Sequence, residues 1–231
     1  PNWQETILLT IELLPDPDPL LKQMQERIQA LVQSESTLQV ILQWVHNQAE
    51  AYPLPYKPAA IRAFYLALDL IQGLDLAIAL DAQISFNLHP ELALDRALIQ
   101  LLHQGQQLIG APSLDQCFAL CFALDMHQQF PLSERLREQL DQLKNELIET
   151  TLSQEDLQQW CQTQGVIWLD HLHQTLIQSR NIAHNWQLES DQKEMLQSYY
   201  QSTLFLIECL QHTTRSSHEL QQVLEEKLLL P

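Results

Sequence analysis

A near absence of glycine constrains the fold of this 231-residue chain more than any other feature, since only 4 of its residues are glycine. β-Hairpin turns need residues that accept positive φ angles, and glycine accepts them most readily. The 11 prolines gather mostly at residues 15–19 and 53–58, between segments with helical spacing of apolar residues. The sequence therefore predicts an all-α protein, a multi-helix bundle or short helical array with two lobes and no sheet.

Start and stop signals predict about ten to twelve helices. The clearest of them are expected over residues 3–14, 20–33, 91–109, 132–150, 157–180 and 189–212. Capping boxes are predicted at residues 36–39 and 113–116, and helix starts at Ser153 and at residues 216–219. The helix over residues 157–180 is expected to be loosened at Gly165.

The helix over residues 132–150 carries a leucine stripe at a heptad-like spacing, formed by Leu136, Leu140, Leu143 and Leu147. Such a stripe could pair with another chain. Packing within the protein's own bundle is the favoured interpretation, because amphipathic helices of globular proteins bury one face in the same way.

The chain is strongly acidic: 29 Asp and Glu residues against 12 Lys and Arg give a formal net charge of −17. Such a surface repels phosphate backbones, so general nucleic-acid binding is not expected. The longest uncharged apolar stretches are far shorter than a bilayer span, and no basic amphipathic face occurs. The sequence thus predicts no membrane association.

The four cysteines are expected to be small buried residues, and Cys117 and Cys121 share one helix face. No metal site is predicted, because no His or Cys partner lies at ligand spacing. A Leu-Asp pair recurs every six residues and places Asp69, Asp75 and Asp81 in one stretch. On a continuous helix these carboxylates would spread around the axis, which predicts solvated side chains. Reduced thiols and the lack of a signal peptide indicate the cytoplasm.

The segment 179–186, SRNIAHNW, is the most informative stretch for function, because Arg180, Asn181, His184 and Trp186 follow one another closely. One interpretation is a structural corner between two helices. Asn181 would satisfy free backbone groups at a helix end, and Arg180 would bind terminal carbonyls or a carboxylate such as Asp170. Trp186 would bury against the next helix.

The alternative interpretation is a catalytic one, with Arg180 and His184 as the catalytic residues. Four residues apart on a continuous helix, they would share one face and could cleave a phosphodiester. Helical ribonucleases of the HEPN type carry a similar Arg-polar-His arrangement, with a longer spacing than the three residues between Arg180 and His184. A third possibility is a helical scaffold that binds peptides along its acidic face.

Three segments resemble the C-terminal helical region of cyanobacterial NACHT-domain NTPases, which belong to the STAND signalling class. They are WQETILLTIELL at residues 3–14, YKPAAIRAFYLALDL at 56–70, and RNIAHNWQLESDQKEMLQSYYQSTLFLIECL at 180–210 with the terminal EEKLLLP. The family cluster reads closer to RNIGHDWQ, whereas this chain carries Ala183 and Asn185.

The resemblance implies a non-catalytic module, with residues 1–150 following the NTPase and residues 151–231 forming the terminal helical domain. Its first partner would be the NTPase core of the same parent chain, which would hold ATP and Mg²⁺, while no cofactor is expected here. It would sense a trigger or restrain the NTPase in antiphage defence, with self-association as a further possibility. The start at Pro1 rather than Met likewise suggests a piece of a longer protein.

Overall fold

In the computed structural model, every regular element within the described residues is a helix, and no strand occurs there. The description covers residues 3–71, 73–126, 129–150 and 153–231, with the backbone alone for 148–150. The all-α prediction is confirmed. None of the helices in these ranges is long and apolar enough to span a bilayer.

The chain divides into two compact units, which we call the terminal unit and the central unit. The terminal unit contains the chain up to Leu88 and again from Trp186 to Pro231, and the central unit is His89–Asn185. The predicted division into residues 1–150 and 151–231 stays a prediction. Two residues at that boundary, Thr151 and Leu152, lie outside the described residues.

The terminal unit is built around a long helix near the end of the chain, α12, which packs against α1, α2 and α5. Fully buried side chains such as Leu38, Phe64 and Leu206 form its core. Its helices are α1 (Trp3–Leu13), α2 (Asp18–Ala30), α3 (Ser36–Ala51), α4 (Pro58–Asp69), α5 (Asp75–Leu80), α6 (Gln83–Phe86), α12 (Ser190–His212) and α13 (His218–Lys227).

The central unit contains α7 (Pro90–Gly110), α8 (Leu114–Leu124), α9 (Glu134–Thr150), α10 (Gln154–Trp160) and α11 (Val166–Arg180). A π-helical turn at Cys161–Gly165 joins α10 to α11, where the sequence predicts a loosened helix. The leucine stripe of α9 is buried, and this helix packs against α8, α10 and α11. Internal packing of the stripe is therefore confirmed.

Two predicted caps form and two capping boxes do not. The Ser153 hydroxyl accepts the Asp156 amide at 3.1 Å, and Ser217 caps α13 in the same way. The box predicted at residues 36–39 is wrong, because Glu35 precedes the helix without a side-chain cap and Ser36 is already helical. The side chain of Ser113 likewise makes no cap hydrogen bond, although α8 does begin after it.

The Leu-Asp repeat does not form one continuous helix, so that part of the prediction is wrong, whereas Asp75 is exposed as predicted. The chain turns between α4 and α5, and Gly73 has a φ of 132° that other residues rarely adopt. Asp75 accepts a hydrogen bond from the Tyr200 hydroxyl at 2.6 Å. Asp81 accepts the backbone N–H of Lys57 at 3.2 Å. These carboxylates hold turns in place, and no group of three metal-ligating side chains occurs among the described residues.

Helices α7 and α11 approach closely at Gly105, which yields a stability prediction. A Cβ at Gly105 would lie 3.0 Å from the Trp168 ring and 3.2 Å from Leu169. The ring cannot yield easily, because its Nε1 donates to the Leu143 carbonyl at 2.8 Å. We expect Gly105→Ala to lower the free energy of unfolding by about 1 kcal/mol, since overpacking exceeds the gain in helix propensity.

The matched control is Gly110→Ala, at the end of the same helix, where an added Cβ would meet nothing within 4 Å. Urea unfolding should show this variant unchanged or up to about 1 kcal/mol more stable. Equal stabilisation of both variants would contradict the close approach at Gly105.

Candidate functional site at the end of helix α11

Arg180, the last residue of α11, is held by two carboxylates of α7. Its Nε lies 2.6 Å from the Asp95 carboxylate, and its Nη2 lies 2.8 Å from the Glu91 carboxylate. Only 1% of the Asp95 side chain and 11% of the Arg180 side chain are exposed. A buried carboxylate is tolerated only with a partner, so this ion pair fixes the end of α11 against the first turns of α7.

The helix ends directly after Arg180 because Asn181 adopts the left-handed conformation, with φ 55° and ψ 39°. Its backbone N–H donates to the Ile177 carbonyl at 2.9 Å and closes the last turn. Asparagine accepts this conformation better than most residues. Asn181 therefore ends the helix through its backbone, and its side-chain oxygen contacts His184, whereas the sequence predicted that its side chain would satisfy free backbone groups.

The two histidines around this helix end bind backbone and amide oxygens. The Nε2 of His184 lies 3.1 Å from the Asn181 carbonyl and 3.0 Å from its side-chain oxygen. The Nε2 of His173 contacts the carbonyl of Ala183. Ala183 itself is buried and has a φ of 64°, at a position where the resemblance implies glycine. Glycine suits this position because a left-handed backbone strains any Cβ by about 1 kcal/mol.

This geometry bears on the catalytic interpretation of Arg180 and His184. The helix stops between them, so the continuous face that would align them is not formed. The positive charge of Arg180 is already matched by Asp95 and Glu91, which leaves less of it to stabilise a phosphodiester transition state. The arrangement supports the helix end structurally.

Trp186 belongs to the terminal unit, where it lies against α3. Its ring centroid is 5.5 Å from that of Trp44, which in turn contacts Tyr65 edge-on at 6.1 Å. Trp44 and Tyr65 are buried, whereas Trp186 is half-buried. Its partner is therefore an early helix, while the sequence suggested the helix that follows it.

Sequence reasoning missed the partners of Arg180 and the similar role of Arg62. Asp95 lies on the apolar stripe of α7, and Arg62 lies inside the apolar run of α4. The sequence did contain a signal for both roles, namely a charged residue at an apolar position of a helix. Such a residue is expected to be buried, and a buried charge needs a partner. The sequence suggested Asp170 for Arg180, but Asp95 and Glu91 bind it.

Arg62 fixes the C-terminal end of α13. Its side chain donates to the carbonyls of Leu228 at 2.9 Å and Glu226 at 2.7 Å. Burial lowers the pKa of Arg62 from its ordinary value, yet a guanidinium keeps its charge. Nearby, burial raises the pKa of Tyr199 to about 12. Both groups lie within the core of the terminal unit.

The four cysteines form no disulfide and are buried, as the sequence predicts. A hydrogen bond with Cys117, followed by burial, raises the pKa of Cys121. Burial also raises the pKa of Cys161 and that of Cys209, to about 12. Thiolates are the reactive form, so these side chains serve as apolar core residues rather than nucleophiles.

The fold and this site define an all-helical region in which buried charges stabilise helix ends. Residues 136–231 match the family model of NACHT C-terminal Helical domain 2. This part of the chain, which includes the Arg180–Trp186 segment, is a NACHT-associated helical region, so the resemblance is confirmed at this level. No curated protein and no solved structure matches the chain. A cyanobacterial origin stays a prediction.

The Arg180 ion pairs yield a second stability prediction. Arg180→Met should lower the free energy of unfolding by about 3–5 kcal/mol, because it leaves the Asp95 carboxylate buried without its cation. Lys57→Met is the control, since Lys57 pairs with Glu225 at an exposed site, where loss is expected to cost less than about 1 kcal/mol. Urea unfolding followed by circular dichroism measures both. If both variants lost the same free energy of unfolding, the stabilising role assigned to the Arg180 ion pairs would be refuted.

Trp186 supplies a third prediction. Trp186→Ala should lower the melting temperature, with a loss of about 2 kcal/mol, since a half-buried ring is removed from the contact with Trp44. Phe86→Ala is the matched control, because Phe86 is 87% exposed and its loss should change stability by less than about 0.5 kcal/mol. An unchanged melting curve for the Trp186 variant would rule out its structural role.

Proposed function

We propose that the chain is a helical regulatory module of a NACHT-type NTPase and restrains the NTPase core of its parent chain until a trigger binds. The match of residues 136–231 to NACHT C-terminal Helical domain 2 is the observation that carries this proposal. We further propose a role in antiphage defence, from the resemblance to bacterial relatives. The four cysteines, which form no disulfide, support a cytoplasmic location.

The proposed mechanism is a shift between helix arrangements. A trigger that prefers one arrangement changes its population, and linkage carries that change to the nucleotide site. The Arg180–Trp186 segment suits this role because it lies where the chain passes from the central to the terminal unit. Arg180 pairs with Asp95 inside the central unit, and Trp186 contacts Trp44 inside the terminal unit.

In this proposal ATP and Mg²⁺ bind the parent NTPase core, and this chain contributes no catalytic group. The sequence contains neither GKS nor GKT, the end of the common phosphate-binding loop. The ion pairs of Arg180 support the structural interpretation over the HEPN-like one.

The test compares the complete parent protein with a version that lacks residues 1–231. Removal of the module should raise basal ATP hydrolysis by at least about fivefold, the lower range of allosteric coupling. Arg180→Met in the full protein should move the rate in the same direction, and Lys57→Met should leave it unchanged. The rate of ATP hydrolysis is measured for each protein, and light scattering of the same sample gives its oligomeric state. An unchanged rate and oligomeric state after deletion would refute the proposal.

A further inference from the structure

The terminal unit contains an apolar groove that the proposed regulatory role does not use. Helices α1, α2 and α12 line a cavity of about 390 Å³. Trp3 is 61% exposed, and its ring meets Phe205 edge-on with centroids 5.6 Å apart. The apolar walls are Trp3, Ile7, Leu20, Met24, Ile28 and Phe205.

The charge of this groove is opposite to that of the chain. Arg27 is the one charged residue among the described residues that line it, and none of them is Asp or Glu. The chain as a whole carries 29 acidic residues against 12 basic ones. Two other cavities of the same unit are lined by carboxylates, Glu26 in one and Glu225 with Glu226 in the other. The groove is therefore a local cationic site on an anionic protein.

The guanidinium of Arg27 is available to a ligand. No hydrogen bond or ion pair engages it within the described part of the chain. The residues three and four positions away along the chain are Gln23, Met24 and Ala30 on α2, and Leu31 directly after its end. None of these is acidic, so no ion pair along the helix can satisfy it.

The shape and chemistry of the groove select a small amphipathic anion. Its volume lies in the range of about 300–1,000 Å³ that is typical of small-molecule sites. A stable protein interface needs about 800 Å² from each partner, more than this short groove offers. Arginine binds a carboxylate through two parallel hydrogen bonds. Neutral side chains at Gln4, Gln23, Gln201 and Ser202 complete the polar lining.

We propose that this groove binds a hydrophobic monocarboxylate, with its carboxylate on Arg27 and its apolar body along the Trp3–Phe205 wall. The anion is drawn to Arg27 because the groove lacks competing carboxylates. Its apolar body covers Trp3, a large side chain that is otherwise left in water. The groove is formed by the terminal unit alone, whereas Arg180 and its partners belong to the central unit, so the proposal stands whether or not the chain restrains an NTPase.

The experiment is isothermal titration of the full chain with dodecanoate below its micelle concentration. We expect one molecule to bind per chain, and Arg27→Gln to weaken binding about tenfold through loss of a charge-assisted hydrogen bond. Lys22→Gln is the matched control, because it removes one positive charge from an exposed site on the same helix that does not line the groove. Its affinity should equal that of the wild type.

Dodecanol and Trp3→Ala test the two halves of the site separately. Dodecanol, which lacks the charge, should bind at least about tenfold more weakly than dodecanoate. Trp3→Ala should also weaken dodecanoate binding, and it keeps the test decisive if Arg27→Gln does not fold by circular dichroism. The proposal is overturned by no binding at millimolar dodecanoate, by equal affinity in Arg27→Gln, or by equal affinity for dodecanol.

Discussion

The pairing of the Arg180 guanidinium with the buried Asp95 carboxylate, 2.6 Å apart, is the interaction on which the end of α11 depends. Neither charge could stay buried alone, since an unpaired ion in the interior costs several kcal/mol. The pair therefore holds the end of α11 against α7. Asn181 and Ala183, both with left-handed backbone conformations, follow at once.

The segment that follows this pair contributes to both compact units. Residues up to Asn185 belong to the central unit, and Trp186 begins the return to the terminal unit. The match to NACHT C-terminal Helical domain 2 over residues 136–231 includes this segment. Its chemistry is that of a joint: the charges satisfy each other, and the aromatic ring packs on Trp44.

Three arginines show how a strongly acidic chain uses its few cations. Arg180 and Arg62 are largely buried and bind oxygens of distant helices, a carboxylate in one case and helix-end carbonyls in the other. Both satisfy groups that would otherwise be buried unpaired. Arg27 lies instead at the edge of an apolar groove, where its charge remains available to a ligand. Whether an arginine of this chain stabilises the fold or remains available to a ligand therefore depends on its burial and on its partners.

The sequence alone predicts the all-α class, a helix start close to residue 91, the Ser153 cap and the buried stripe of α9, because these depend on neighbours within a few residues. It did not determine which carboxylate Arg180 meets. Asp170 is ten residues away, but Asp95, 85 residues away, binds it. Only tertiary packing brings α7 and α11 together, since spacing along one helix carries no information on which other helix it contacts.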